Sequence, residues 1–147
     1  MTHLYPIQRV TLITLGVQDL ARARAFYRAL GWHPHSETDS VSFYQLQGAA
    51  LGLYPLANLA DNMDRPATGL GTGAMTVGQN FATEEAVDAA WHTALQAGAT
   101  PIKVPQAVSW GGYSGYFADP DGHVWELAVN PFWPLAKDGS LTLPAGG

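Results

Sequence analysis

Cysteine is absent from the 147 residues, which excludes disulfides, thiolate zinc sites and cysteine nucleophiles. Basic residues are scarce. Seven Lys and Arg do not cluster, so no nucleic-acid surface is expected. Charged residues of both signs reach only 13%, and the net charge of −5 comes from scattered acids rather than an acidic tail. No apolar run approaches membrane-spanning length, and Met1 to Arg9 lack the charged-then-apolar order of a signal peptide. These absences lead to the expectation of a soluble cytoplasmic protein with neither nucleic acid nor membrane as partner. What is present is an apolar fraction of 47%, ordinary for a chain that folds around a core.

The chain reads as two halves with the same order of elements. Val10 to Val17 is a β-branched, apolar strand ended by Gln18 and Asp19. Asp19 suits a helix N-cap, Leu20, Ala23, Phe26, Tyr27 and Leu30 recur at helical spacing, and Gly31 is the stop. Two short strands follow, Val41 to Leu46 and Ala50 to Tyr54. In the second half Ala74 to Phe81 is a strand and Thr83 caps a helix with Glu84 and Glu85 in its first turn, favourable near the positive helix end. Val87, Ala90, Trp91, Ala94 and Leu95 form its apolar stripe, and Gly98 ends it. Strands are expected near Ile102 to Ala107, Tyr113 to Ala118 and His123 to Val129. A module of about 60 residues buries little core alone, so the halves are expected to pair. The boundaries are module one at 8–54, a linker at 55–73, module two at 74–131 and a tail at 132–147, within one domain.

Asp119-Pro120-Asp121-Gly122 is a turn: Pro120 presets φ, and Gly122 accepts a conformation closed to other residues. On the outgoing strand, alternation places Trp125, Leu127 and Val129 on the core face and Val124, Glu126 and Ala128 on the other. Glu126 therefore points away from the core, either into solvent or into a cavity. Ser109 to Tyr116 sets Trp110, Tyr113 and Tyr116 among glycines. That combination suits a wall over an aromatic or conjugated guest, or else a bulged strand sealing the domain edge. Asn80 ends its strand with both a donor and an acceptor, to hold a ligand or to satisfy a loop. Gly69 to Gly73 neither follows a strand nor opens a helix, so it is no phosphate loop. The stretch around Ser114 lacks the strand-turn-helix of a nucleophile elbow.

In order and spacing, Val17 to Leu20 running into Ala25 to Tyr27, then Leu30 to Trp32, Ala97 to Ala99, and the Asp119–Gly122 turn with Trp125 to Leu127, resemble the vicinal oxygen chelate superfamily. That superfamily holds glyoxalase I, bleomycin-resistance proteins and extradiol dioxygenases. The resemblance spans about residues 8–131. It implies an α+β fold in which two paired βαβββ modules form a curled mixed-sheet cup with helices outside, and it favours homodimers. It also places metal ligands, where the family has them, at positions matching Leu12, Gly52, Thr76 and Glu126. Only Glu126 is a usual donor, and His3, His33, His35, His92 and His123 do not converge on it. The expectation is a glyoxalase- or bleomycin-resistance-like protein that binds a small molecule without a cofactor or catalytic metal. Glu126 is its catalytic candidate, and Leu12, Thr76, Asn80, Trp110, Tyr113 and Tyr116 are its ligand-binding candidates. The alternative is a divalent-metal lyase or dioxygenase keeping Glu126 as a ligand.

Overall fold

The computed structural model describes residues 8–145, so His3 lies outside the described residues. Strand β1 (Leu12–Val17) leads into helix α1 (Leu20–Ala29), and the junction is set locally: the Asp19 carboxylate accepts the Arg22 N–H at 3.1 Å, the N-cap geometry that its short acceptor side chain favours. Gly31, at φ 96°, ends the helix. Strands β2 (Ser36–Glu37), β3 (Ser42–Gln45) and β4 (Ala50–Pro55) complete a four-stranded sheet ordered β1-β4-β3-β2, in which β1 and β4 run parallel.

The second half repeats this plan. It comprises β5 (Thr76–Asn80), α3 (Glu84–Gln96), β6 (Thr100–Ala107), β7 (Tyr113–Ala118) and β8 (Val124–Val129), ordered β5-β8-β7-β6 with β5 and β8 parallel. Thr83 caps α3 by accepting the Ala86 N–H at 3.1 Å, and Gly98 at φ 105° closes it. The expected α+β architecture of two βαβββ modules is present. Both sheets are mixed and neither closes on itself.

Three elements differ from the sequence reading. Ser36–Glu37 is a short edge strand against β3, too brief to show an alternation. Within the expected linker, α2 (Leu56–Asn62) and a single 3-10 turn at Ala67–Gly69 are folded. Helix α2 lies directly on β1: a β-carbon on Gly16 would stand 2.7 Å from a Leu56 methyl and 3.1 Å from a Leu59 methyl. Glycine at this position is what lets the helix approach so closely.

One apolar core joins the modules. Leu15, Val17, Leu51 and Leu53 from the first sheet meet Phe117, Trp125 and Leu127 from the second, with α1 and α3 packed over them. The seam is aromatic. Trp125 lies 6.0 Å from Tyr27 and 5.5 Å from Trp32 between ring centroids, and stacks on Phe117 at 6.3 Å with an interplanar angle of 3°.

The seam is also polar at one point. Asp119, only 2% exposed, accepts the Tyr27 hydroxyl at 2.7 Å on one oxygen and the Asp121 and His123 N–H groups at 2.9 Å on the other. The Trp125 indole N–H donates to the Tyr27 oxygen at 3.0 Å. Burial first, and then the Asp119 carboxylate, push the Tyr27 phenol far above its ordinary value, so it stays a donor. Asp121 reaches across as well, accepting the Gln18 N–H at 2.8 Å and Arg22 at 3.1 Å. The turn expected from Asp119 to Gly122 is formed, with Gly122 at φ 91° and its N–H on the Asp119 carbonyl. Its carboxylates also fasten module two to module one.

Candidate active or binding site on the open face of module two

With the apolar faces turned toward α1 and α3, alternation puts the intervening residues on the opposite face of each sheet, which α2 covers at Gly16 in module one. Strand register builds a row on that face in module two. Lys103 is the partner of Tyr116, Tyr116 of Glu126, and Glu126 of Gly78, so one level of the sheet carries a cation, a phenol, a carboxylate and a bare backbone. The Tyr116 hydroxyl donates to Glu126 Oε2 at 2.8 Å. That hydrogen bond, with burial second, raises the Tyr116 phenol above its ordinary value. The phenol therefore keeps its proton at neutral pH and spends it on one carboxylate oxygen. The other oxygen, Oε1, faces the space a Gly78 side chain would fill, 3.6 Å from the position of its absent β-carbon. Glu126 is half-buried there, an acceptor open to an incoming N–H or O–H group.

Module one has the matching row without the chemistry. Phe43, Gly52 and Thr14 occupy the corresponding register, and the Phe43 ring covers Gly52 at 3.1 Å from where a β-carbon would stand. Leu12 and Thr76 lie exposed on the two first strands, each two residues before the partner of Gly52 or Glu126. The donor set at these four positions is therefore one carboxylate, one hydroxyl, one isobutyl group and one glycine. A divalent cation needs several convergent oxygen or nitrogen donors, so these residues do not fit one. Among the described residues no group of three or more His, Asp or Glu is placed to hold a metal ion. His33, His35 and His92 are exposed, and His123 is turned toward module one, with its Nε2 2.7 Å from the Gly16 carbonyl.

The remaining candidates separate. Trp110 is 46% exposed, and its ring lies across Gly112, the residue before β7. Tyr113 has the opposite parity. It packs against the core, and its hydroxyl donates to Asp88 of α3 at 2.6 Å, so it shares no surface with Tyr116 or Glu126. Asn80 lines a cleft of about 330 Å³ with Trp32, Gln47 and Gln79; Glu126 does not line it, though its register partner Gly78 and its neighbour Trp125 do.

The Tyr113–Asp88 bond has a pH consequence. The hydrogen bond to Asp88, then burial, raise the phenol from about 10 to about 12. A pKa raised on folding contributes stability that is complete below the unfolded value and lost as pH rises through the folded one. Ultraviolet titration at 295 nm is expected to show tyrosine ionisation extending to about pH 12, and Tyr113→Phe to reduce its high-pH part and flatten the fall in stability above pH 10.

No curated protein matches the chain. Among solved structures, a glyoxalase-related enzyme from Fulvimarina pelagi is 35% identical, with a TM-score of 0.87 over 95% of this chain and all of its own. A hypothetical protein from S. aureus is 26% identical (TM-score 0.73, covering 86% of this chain and 96% of its own). A lactoylglutathione lyase from Agrobacterium tumefaciens, 22% identical with a TM-score of 0.66 over 89% of this chain and all of its own, shares the fold. A family model also matches residues 9–127, taking in both modules from β1 into β8. With two βαβββ modules, the expected motif order and that match, the chain belongs to the Glyoxalase/Bleomycin resistance protein/Dioxygenase superfamily.

Proposed function

We propose that the protein binds a small organic molecule, aromatic and carrying a cationic or hydrogen-bond-donating group, on the open face of module two without a catalytic metal. The observation that carries this reading is the Tyr116–Glu126 pair beside Gly78, a half-buried carboxylate with one oxygen engaged and the other open. Glu126 receives the donor or cation. Tyr116 fixes the carboxylate and blocks its rotation. Trp110, exposed on the segment that leads into β7, offers a flat surface for stacking. The same carboxylate can take a proton from a bound ligand, with the Tyr116 hydroxyl stabilising whichever form results.

The test uses ethidium, a cationic aromatic probe, with untagged protein. A charge-assisted hydrogen bond is worth about 1.5–3 kcal/mol, so Glu126→Gln is expected to weaken binding roughly 10- to 100-fold while circular dichroism and Tm stay unchanged. Equal affinity in the variant, or no binding to the wild type, overturns the assignment. Metal analysis of the same preparation decides the other half. Stoichiometric nickel, zinc, iron or manganese would favour a lyase or dioxygenase that uses Glu126 with unusual ligands.

A further inference from the structure

A second hollow, of about 460 Å³, opens where β1, α2 and the segment from Gly69 to Met75 meet the start of β8. It begins at Val124, two residues before Glu126, and neither Glu126 nor Tyr116 lines it. We propose that it is a binding site for a compact, uncharged, largely aromatic or alicyclic molecule that carries a hydrogen-bond donor.

Its size suits a small ligand. Leu56 and Leu59 of α2 and Met63 just after it form one wall, with Val77 and Val124 of module two completing the lining. No Asp, Glu, Lys or Arg lines it, so a charged guest would lose its hydration without gaining a counter-charge. The floor is fixed, because α2 sits on Gly16 at contact distance. Along the outer wall Gly69, Gly71 and Gly73 have nothing within 4 Å of where a β-carbon would stand, while Thr72 rests on the turn before β8, its Oγ1 3.1 Å from the β-carbon position of Gly122.

The polar side chains that line it are Thr14, Thr72 and His123. The His123 Nε2 lies 2.7 Å from the Gly16 carbonyl, which can only accept, so in the neutral ring Nε2 carries the proton and Nδ1 is left as an acceptor. An apolar wall carrying an imidazole and two hydroxyls, each able to accept, suits an apolar guest with an N–H or O–H group.

N-phenyl-1-naphthylamine, neutral and bearing one N–H, is the probe. Saturable fluorescence enhancement with one site per chain is expected. Ala74→Trp, on the exposed outer wall, should fill the hollow and weaken binding at least tenfold, whereas Glu126→Gln should leave it unchanged. Methyl NMR of the wild type provides a readout independent of that variant's folding: shifts on titration should centre on Leu56, Leu59, Met63, Val77 and Val124. The proposal is overturned by absence of saturable binding, by shifts centred elsewhere, or by full affinity in a folded Ala74→Trp. Loss of binding in Glu126→Gln would move the probe to the Tyr116–Glu126 site and overturn it too. Because ethidium reports on Glu126 and this probe on the hollow, either site can fail alone.

Discussion

Asp119→Ala is expected to lower the unfolding free energy by about 3–5 kcal/mol, a large share of the 5–15 kcal/mol typical of a domain. Three donors depend on this buried carboxylate: the Tyr27 hydroxyl and the N–H groups of Asp121 and His123. Alanine leaves all three without it, and each buried donor so abandoned costs about 1–3 kcal/mol. Asp119→Asn separates the parts. Its amide oxygen can still accept the two backbone N–H groups, while its NH₂ meets a hydroxyl that has been donating. A loss of only about 1–2 kcal/mol is therefore expected, one hydrogen bond's worth. Urea unfolding of the three proteins at neutral pH is the measurement. Equal stability of Asp119→Ala and wild type would mean that the Asp119 carboxylate does not help hold the modules together.

Trp125→Ala is expected to cost a similar amount, about 3–5 kcal/mol, for a different reason. The indole is 2% exposed and touches Tyr27 and Trp32 of module one as well as Phe117 of its own sheet. Its removal opens a cavity on the seam that neither sheet can close by itself. Trp125→Phe keeps much of the packing but loses the N–H given to Tyr27, and about 1–2 kcal/mol is expected for it. The two sites share Tyr27, so Asp119→Asn combined with Trp125→Phe should depart from additivity by more than 0.5 kcal/mol. Near-ultraviolet circular dichroism, dominated by these stacked rings, should collapse in Trp125→Ala even where the chain stays folded.

Much of the fold was legible because its signals are local. Asp19, Thr83, Gly31 and Gly98 mark helix ends through their own backbone chemistry, and alternation along β8 put Trp125 inside and Glu126 outside without reference to anything distant. Helix α2 escaped because Leu56, Leu59 and Met63 give less than two turns of periodicity after a proline, in a stretch whose composition suggests a connection. The aromatic segment was read by composition as one surface. Parity along β7 divides it, sending Tyr113 to α3 and Tyr116 to Glu126, and that division was already present in the numbering. The carboxylates of the Asp119–Gly122 turn are another matter. Every turn rule is satisfied by their local roles, and nothing local shows that Asp119 will meet a tyrosine 92 positions earlier. Contacts of that kind depend on how two sheets are placed, which short-range patterns do not encode. The hollow beside His123 is hidden for the same reason, since its walls come from β1, the connecting segment and the start of β8.

That distance in sequence has a consequence during synthesis. The Tyr27 hydroxyl and the apolar side of the first sheet are made long before the residues that seal them. At chain growth of about 5–20 residues per second, some 5–20 s pass between the addition of Tyr27 and that of Asp119. Throughout that interval the nascent first half carries an uncovered aromatic surface, and the growing chain is a ready client for any chaperone that holds such surfaces until the final hairpin arrives.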